Sequence, residues 1–106
     1  MLGSIYCVMK DKLPRIQLGQ VWKKPIYHGL RSLGDVKHIG DAYFLVIAKQ
    51  SQNMWKLKLL KCDPNDIKHL GSVEIHVKYW TKADDIRKEM ELQDHEQSKT
   101  LIVLYG

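Results

Sequence analysis

Ala42-Tyr43-Phe44-Leu45-Val46-Ile47-Ala48 is an unbroken apolar run, the pattern of a strand covered on both faces. Gln50-Ser51-Gln52-Asn53 supplies turn residues after it, and Met54-Trp55-Lys56-Leu57-Lys58-Leu59-Leu60-Lys61 then alternates. Trp55, Leu57 and Leu59 fall on one side of that alternation, with Lys56, Lys58 and Leu60 on the other. The two stretches predict a β-hairpin with one apolar face and one lysine-bearing face open to water or a partner. An antiparallel sheet is therefore the frame into which the rest of the chain must fit.

Working toward the start of the chain, Ile16, Leu18 and Trp22 share one side of a two-residue period over 16–24, with Val21 out of step beside Gly19 as a bulge or bend would place it. Pro25 is expected to end that strand, and Ile5 to Met9 predicts a further short one. Tyr27 to Asp41 carries Gly29, Gly34 and Gly40 and fits neither period. It reads as a long excursion, and segments of that kind in small domains often carry binding surfaces.

Beyond the hairpin, Asp63 and Pro64 look like a helix start, with Gly71 as its stop, which predicts a short helix over 64–70. Val73, Ile75, Val77 and Tyr79 alternate with Glu74, His76, Lys78 and Trp80, a half-buried strand. Thr81, with Asp84 three residues on, is expected to cap a helix running to about Gln93, whose Ala83, Ile86 and Met90 face the core. Asp94 to Lys99 reads as polar loop and Thr100 to Tyr105 as a last apolar strand.

The sum is an α+β fold with one domain over 1–106: a small curled antiparallel sheet with one main helix packed on it. Gly19-Gln20-Val21-Trp22, the strands around Phe44 and Trp55, and the passage from Val73–Tyr79 into the Thr81 helix together resemble the small SH3-like barrel proteins that phages encode. The resemblance spans about residues 16–92, while the Gly-containing excursion and the terminal strand depart from it. What it implies is an SH3-like partial barrel serving as a compact binding scaffold, with no catalytic residue assigned.

Composition fits that outline. Of 106 residues 44% are hydrophobic and 27% charged, unlike the low-hydrophobicity, high-charge chains that stay disordered. The formal charge of +5 points to an anionic partner, either nucleic acid or an acidic protein surface. The apolar opening lacks a basic flank and meets Lys10 too early for a signal peptide, and no stretch reaches the roughly 20 apolar residues of a membrane span. Two cysteines, Cys7 and Cys62, are too few for a secreted disulfide framework. The expected place is the cytoplasm, of a cell or of an infected host.

Catalytic chemistry finds no foothold in these patterns. The five histidines and two cysteines never approach the paired spacing of a zinc site. No nucleophile elbow occurs, and Gly29, Gly34 and Gly40 match neither the dinucleotide nor the Walker spacing. Asp63, Asp66, Asp84 and Asp85 sit at helix starts, where dipole compensation accounts for them. A non-enzymatic binding protein without metal or cofactor is expected.

Its candidate surface is the basic excursion, where Lys23, Lys24, Arg31 and Lys37 lie among Tyr27, His28 and His38, a mixture able to grip phosphates and stack a base. The open sheet face adds Lys56 and Lys58, with Lys61 and Lys78 near them and Trp80 or Tyr79 as a stacking platform. The alternative reading gives the same residues to a protein–protein adaptor or inhibitor, a viral accessory factor for instance, that docks on an acidic partner. Homodimerisation through the 101–105 strand is compatible with either, since an apolar edge invites pairing.

Overall fold

The computed structural model describes residues 14–30, 34–64, 67 and 75–106. The expected strand at Ile5–Met9, Arg31, and most of the expected 64–70 helix and of the Val73 end of its strand lie outside them. Among the described residues five strands form one antiparallel sheet: β1 (Val21–Leu30), β2 (Asp35–Ser51), β3 (Met54–Asp63), β4 (Lys78–Lys82) and β5 (Glu91–Leu92). Helix α1 (Ala83–Glu89) joins β4 to β5, and helix α2 (His95–Tyr105) follows β5. The sheet order is β4-β3-β2-β1-β5, so β2 is central.

The apolar run that predicts a doubly covered strand occupies the middle of β2. Ala42, Phe44 and Val46 enter the larger core cluster, where Trp22, Trp55 and Leu57 meet Ala83, Ile86 and Met90 of α1 and its exit. Tyr43, packed with Val21, Leu60 and Leu101, belongs to a smaller cluster on the opposite face beneath α2. Burying side chains such as Phe44, Leu57 and Ile86 contributes roughly 1.5–3 kcal/mol each. The two buried indoles keep their N–H groups bonded: Trp22 Nε1 donates to Gln20 Oε1 at 3.0 Å and Trp55 Nε1 to the Gln52 carbonyl at 3.0 Å, as such rings require.

The alternation in β3 places Trp55 and Leu57 in the larger cluster and Leu60 in the smaller one. A register shift between the pairs Tyr43↔Lys61 and Phe44↔Leu59 leaves Leu60 as the extra residue. This bulge turns Leu60 and Lys61 toward the same face, where the Lys61 ammonium lies 5.3 Å from the Tyr43 ring centroid.

Several expectations are corrected. Pro25 does not end its strand: β1 runs through it to Leu30, with Pro25 opposite Asp41. β5 pairs only with Trp22 and Lys23, so Pro25 falls where the outer edge of β1 is unpaired and a missing N–H is tolerated. Within the 27–41 excursion, residues 27–30 and 35–41 form an arm of the sheet, in which Tyr27↔His38, His28↔Lys37 and Gly29↔Val36 are paired. A bulge at Ile26/Tyr27 breaks the two-residue period, which is why the segment looks irregular as a sequence. Gly40 is needed there because a Cβ at that position would meet the Asp63 carbonyl oxygen at 2.5 Å. The strand expected over 16–24 begins only at Val21, after a turn at Leu18–Gly19, although Gly19 N–H and Gln20 C=O still bond to Val46.

Two helices, α1 and α2, are present among the described residues after β4, where one main helix was expected. Thr81 does not cap α1, since it pairs with Trp55 in the β3–β4 ladder. Lys82 takes the cap position without a side-chain bond, and the Ala83 N–H is satisfied instead by the Asn53 carbonyl of the hairpin turn at 3.0 Å. The helix stops at Glu89, and Glu91–Leu92 returns to the sheet. The polar loop and terminal strand expected over 94–105 are replaced by α2. Its N-cap is Asp94, whose Oδ1 accepts the Gln97 N–H at 2.8 Å. Ser98 and Leu101, at helical spacing, are its buried residues, and Leu101 with Ile102 packs on the sheet cluster of Val21, Tyr43 and Leu60. With their backbone groups committed to a helix, residues 101–105 cannot pair as an edge strand, so the premise for that mode of dimerisation falls.

Candidate functional site

The residues expected to form one basic surface separate into three groups. The first is the face of β3 and β4 turned away from the larger core. Lys58 there lies directly opposite Lys78, and Lys56 opposite Trp80. The Lys56 ammonium sits 5.7 Å from the Trp80 ring centroid, and Trp80 is 47% exposed. Like charges directly opposite on one face destabilise a strand pair by up to about 1 kcal/mol. Among the described residues neither lysine has an acidic partner to offset this. The β2 neighbour of Lys58 is Leu45, so this strip borders the ground covered by α2.

Lys23 and Lys24 form the second group, and both are engaged. Lys23 Nζ is 3.5 Å from Glu91 Oε2, across the β1–β5 pair, and Lys24 Nζ is 3.9 Å from Glu89 Oε2. Such exposed pairs contribute little to stability, but they lower the positive potential that these lysines present.

The third group is the arm. The rings of Tyr27 and His38 are tilted against each other with centroids 5.5 Å apart, and His38 Nε2 lies 3.0 Å from Asp41 Oδ1. His28 and Lys37 are neighbours across the same two strands and are exposed. Along β2, His38 lies seven positions before Leu45, the partner of Lys58, roughly 23 Å at strand rise. The arm and the lysine strip therefore cannot close on a single small ligand.

On the core side of β4, Tyr79 packs edge-on against Phe44 at 5.5 Å. Its hydroxyl is buried and has no hydrogen-bond partner among the described residues. Burial, with the Glu89 carboxylate adding repulsion, pushes its pKa up to about 12. Among the described residues no group of three or more His, Cys, Asp or Glu side chains is placed to hold a metal ion, and no helix is long and apolar enough to cross a membrane.

One cationic grouping had no sequence signal. Arg15, Lys49 and Arg87 line a common hollow beside the β2–β3 turn, although they come from three distant stretches. Only the packing of α1 and of the segment before β1 against the hairpin brings them together.

Comparison of the chain with protein-family models, with curated proteins and with solved structures gives no match.

Proposed function

We propose that this protein is a non-enzymatic binder of single-stranded nucleic acid, acting from the cytoplasm through the lysine strip of β3 and β4. The observation that carries the reading is the direct opposition of Lys58 and Lys78 beside the exposed Trp80. A backbone of phosphates running along β3 and β4 offsets the repulsion between the two ammonium groups and releases counterions as it binds. Trp80 offers a ring face on which a base stacks, an interaction worth about 1–3 kcal/mol per base and open to unpaired bases rather than to a duplex. Lys56, held over that ring, adds a phosphate contact next to the stacked base. Lys37, His28 and Tyr27 on the arm serve as a separate, weaker contact for a longer strand, and Lys23 and Lys24 contribute less because Glu91 and Glu89 already hold them.

The resemblance to phage SH3-like barrel proteins belongs to the same reading. It is supported by a meander of four strands with the fifth returning beside the first and a helix placed between β4 and β5.

Fluorescence anisotropy with labelled single- and double-stranded DNA and RNA, at low and near-physiological salt, tests the proposal. Binding is expected to favour single strands and to fall steeply with salt, with the slope reduced in the K58E/K78E variant. Absence of binding to any of them at low salt would overturn it and give the strip to an acidic protein surface instead.

A further inference from the structure

Arg15, Lys49 and Arg87 surround a hollow of about 550 Å³ whose wall also includes Gln52, Asn53 and Trp55. Among the described residues no acidic side chain lines it. The Lys49 ammonium lies over the Trp55 ring, 5.2 Å from the centroid. Arg87 spends part of its fork on the wall itself: Nε donates to the Pro14 carbonyl at 3.0 Å, and Nη1 lies 3.5 Å from Asp84 Oδ1. Among the described residues its Nη2 has no acceptor. The Arg15 backbone is pinned, since its carbonyl accepts the Gln20 side-chain amide at 2.8 Å, while its guanidinium has no acceptor among the described residues.

Three cations gathered in a concave site repel one another, and among the described residues the single acid paired with them, Asp84 beside Arg87, does not balance them. An anion in the hollow would. The donors are of the kind that suit a tetrahedral oxyanion: an unengaged guanidinium fork, a second guanidinium edge, an ammonium and the side-chain amides of Gln52 and Asn53. The hollow is also built from fixed parts, because the Trp55 indole is bonded to Gln52 and the Asn53 carbonyl holds the first N–H of α1.

We propose that this hollow binds a phosphate group, either free inorganic phosphate or the phosphate at the end of a nucleotide or oligonucleotide. It does not rest on the strand-binding reading. Trp55 and Ala83 belong to the larger core, whereas Lys56 and Trp80, each one residue out of phase with the paired Trp55 and Thr81, face the other side of the sheet.

The test is a titration of the full ¹⁵N-labelled chain at fixed ionic strength with inorganic phosphate, then with one short oligonucleotide carrying a 5′-phosphate or a 5′-hydroxyl. The Trp55 indole N–H and the Arg87 Nε–H are the signals to follow. Both are expected to move saturably, and the R15Q/K49Q variant should bind at least tenfold more weakly. Arg15 and Lys49 are exposed, so that variant should keep the fold, and the amides of Ala42–Val46 in β2 should stay where they are in the unliganded parent. The K58E/K78E variant should bind inorganic phosphate as the parent does, even if it has lost strand binding. A tenfold preference for the 5′-phosphorylated oligonucleotide that disappears in R15Q/K49Q identifies a strand end as the source, and saturation by inorganic phosphate without that preference identifies the free ion. Shifts that never saturate, or binding lost in K58E/K78E and retained in R15Q/K49Q, would overturn the proposal.

Discussion

Lys58 on β3 and Lys78 on β4 are direct cross-strand neighbours on one face of the sheet. Replacing Lys58 by Glu turns a repelling pair into an attracting one, so K58E should stabilise the fold by roughly 0.5–1 kcal/mol. The same change should weaken single-strand binding about tenfold at low salt. Urea denaturation and anisotropy on one preparation read both effects. A variant that loses stability together with binding would show that the pair is not repulsive in the folded protein.

Trp80 and Trp22 should respond in opposite ways to truncation. Trp80 is 47% exposed and Trp22 1%, so W80A should leave the unfolding midpoint nearly unchanged while removing about 1–3 kcal/mol of strand affinity. W22A should cost about 3–5 kcal/mol of stability through the cavity it leaves. Thermal melts of the two variants separate a binding tryptophan from a core one.

Asp94 caps α2 through the Gln97 N–H, and D94A should cost about 1 kcal/mol, with D94N close to the parent. Hydrogen exchange is the informative measurement. Amides of α2 should lose protection in D94A, whereas those of Ala42–Val46 in β2 should lose little.

Tyr79 ties stability to alkaline pH. Its hydroxyl is raised from 10.0 to about 12 by burial and by Glu89, so the folded state resists the ionisation that the unfolded state accepts. The resulting stabilisation is complete below pH 10 and is lost as the pH rises toward 12. Absorbance titration of tyrosinate should show one tyrosine ionising last, together with loss of structure. Y79F removes a buried hydroxyl without a partner, so it should be neutral or stabilising by about 1 kcal/mol and should push the alkaline transition upward.

How far the sequence reveals this structure depends on which rule governs each segment. The run Ala42–Ala48 and the alternation Trp55–Leu59 are governed by burial alone, and both give the observed strands. The stripe Ala83, Ile86, Met90 is legible for the same reason. Tyr27–Asp41 is misleading because three glycines imitate loop chemistry while the bulge at Ile26/Tyr27 hides the strand period. Leu101, Ile102 and Val103 favour a strand locally, yet Asp94 three residues before Gln97 is a helix-start signal, and the cap with the packing of Leu101 on Tyr43 and Val21 prevails. The lysine strip follows from the alternation in β3. The engagement of Lys23 by Glu91 and of Lys24 by Glu89 does not, because β5 and the end of α1 reach β1 only through tertiary packing.

The unequal covering of the two faces of β2 gives the protein two levels at which it can come apart. Detaching α2 breaks the small cluster around Tyr43, Leu60 and Leu101, while the larger one around Trp22, Phe44 and Leu57 keeps its contacts with α1. A partial opening of this kind costs less than global unfolding. It would also lay bare the sheet from Tyr43 out to Lys58, so the length of exposed face is governed by how tightly one eleven-residue helix is held.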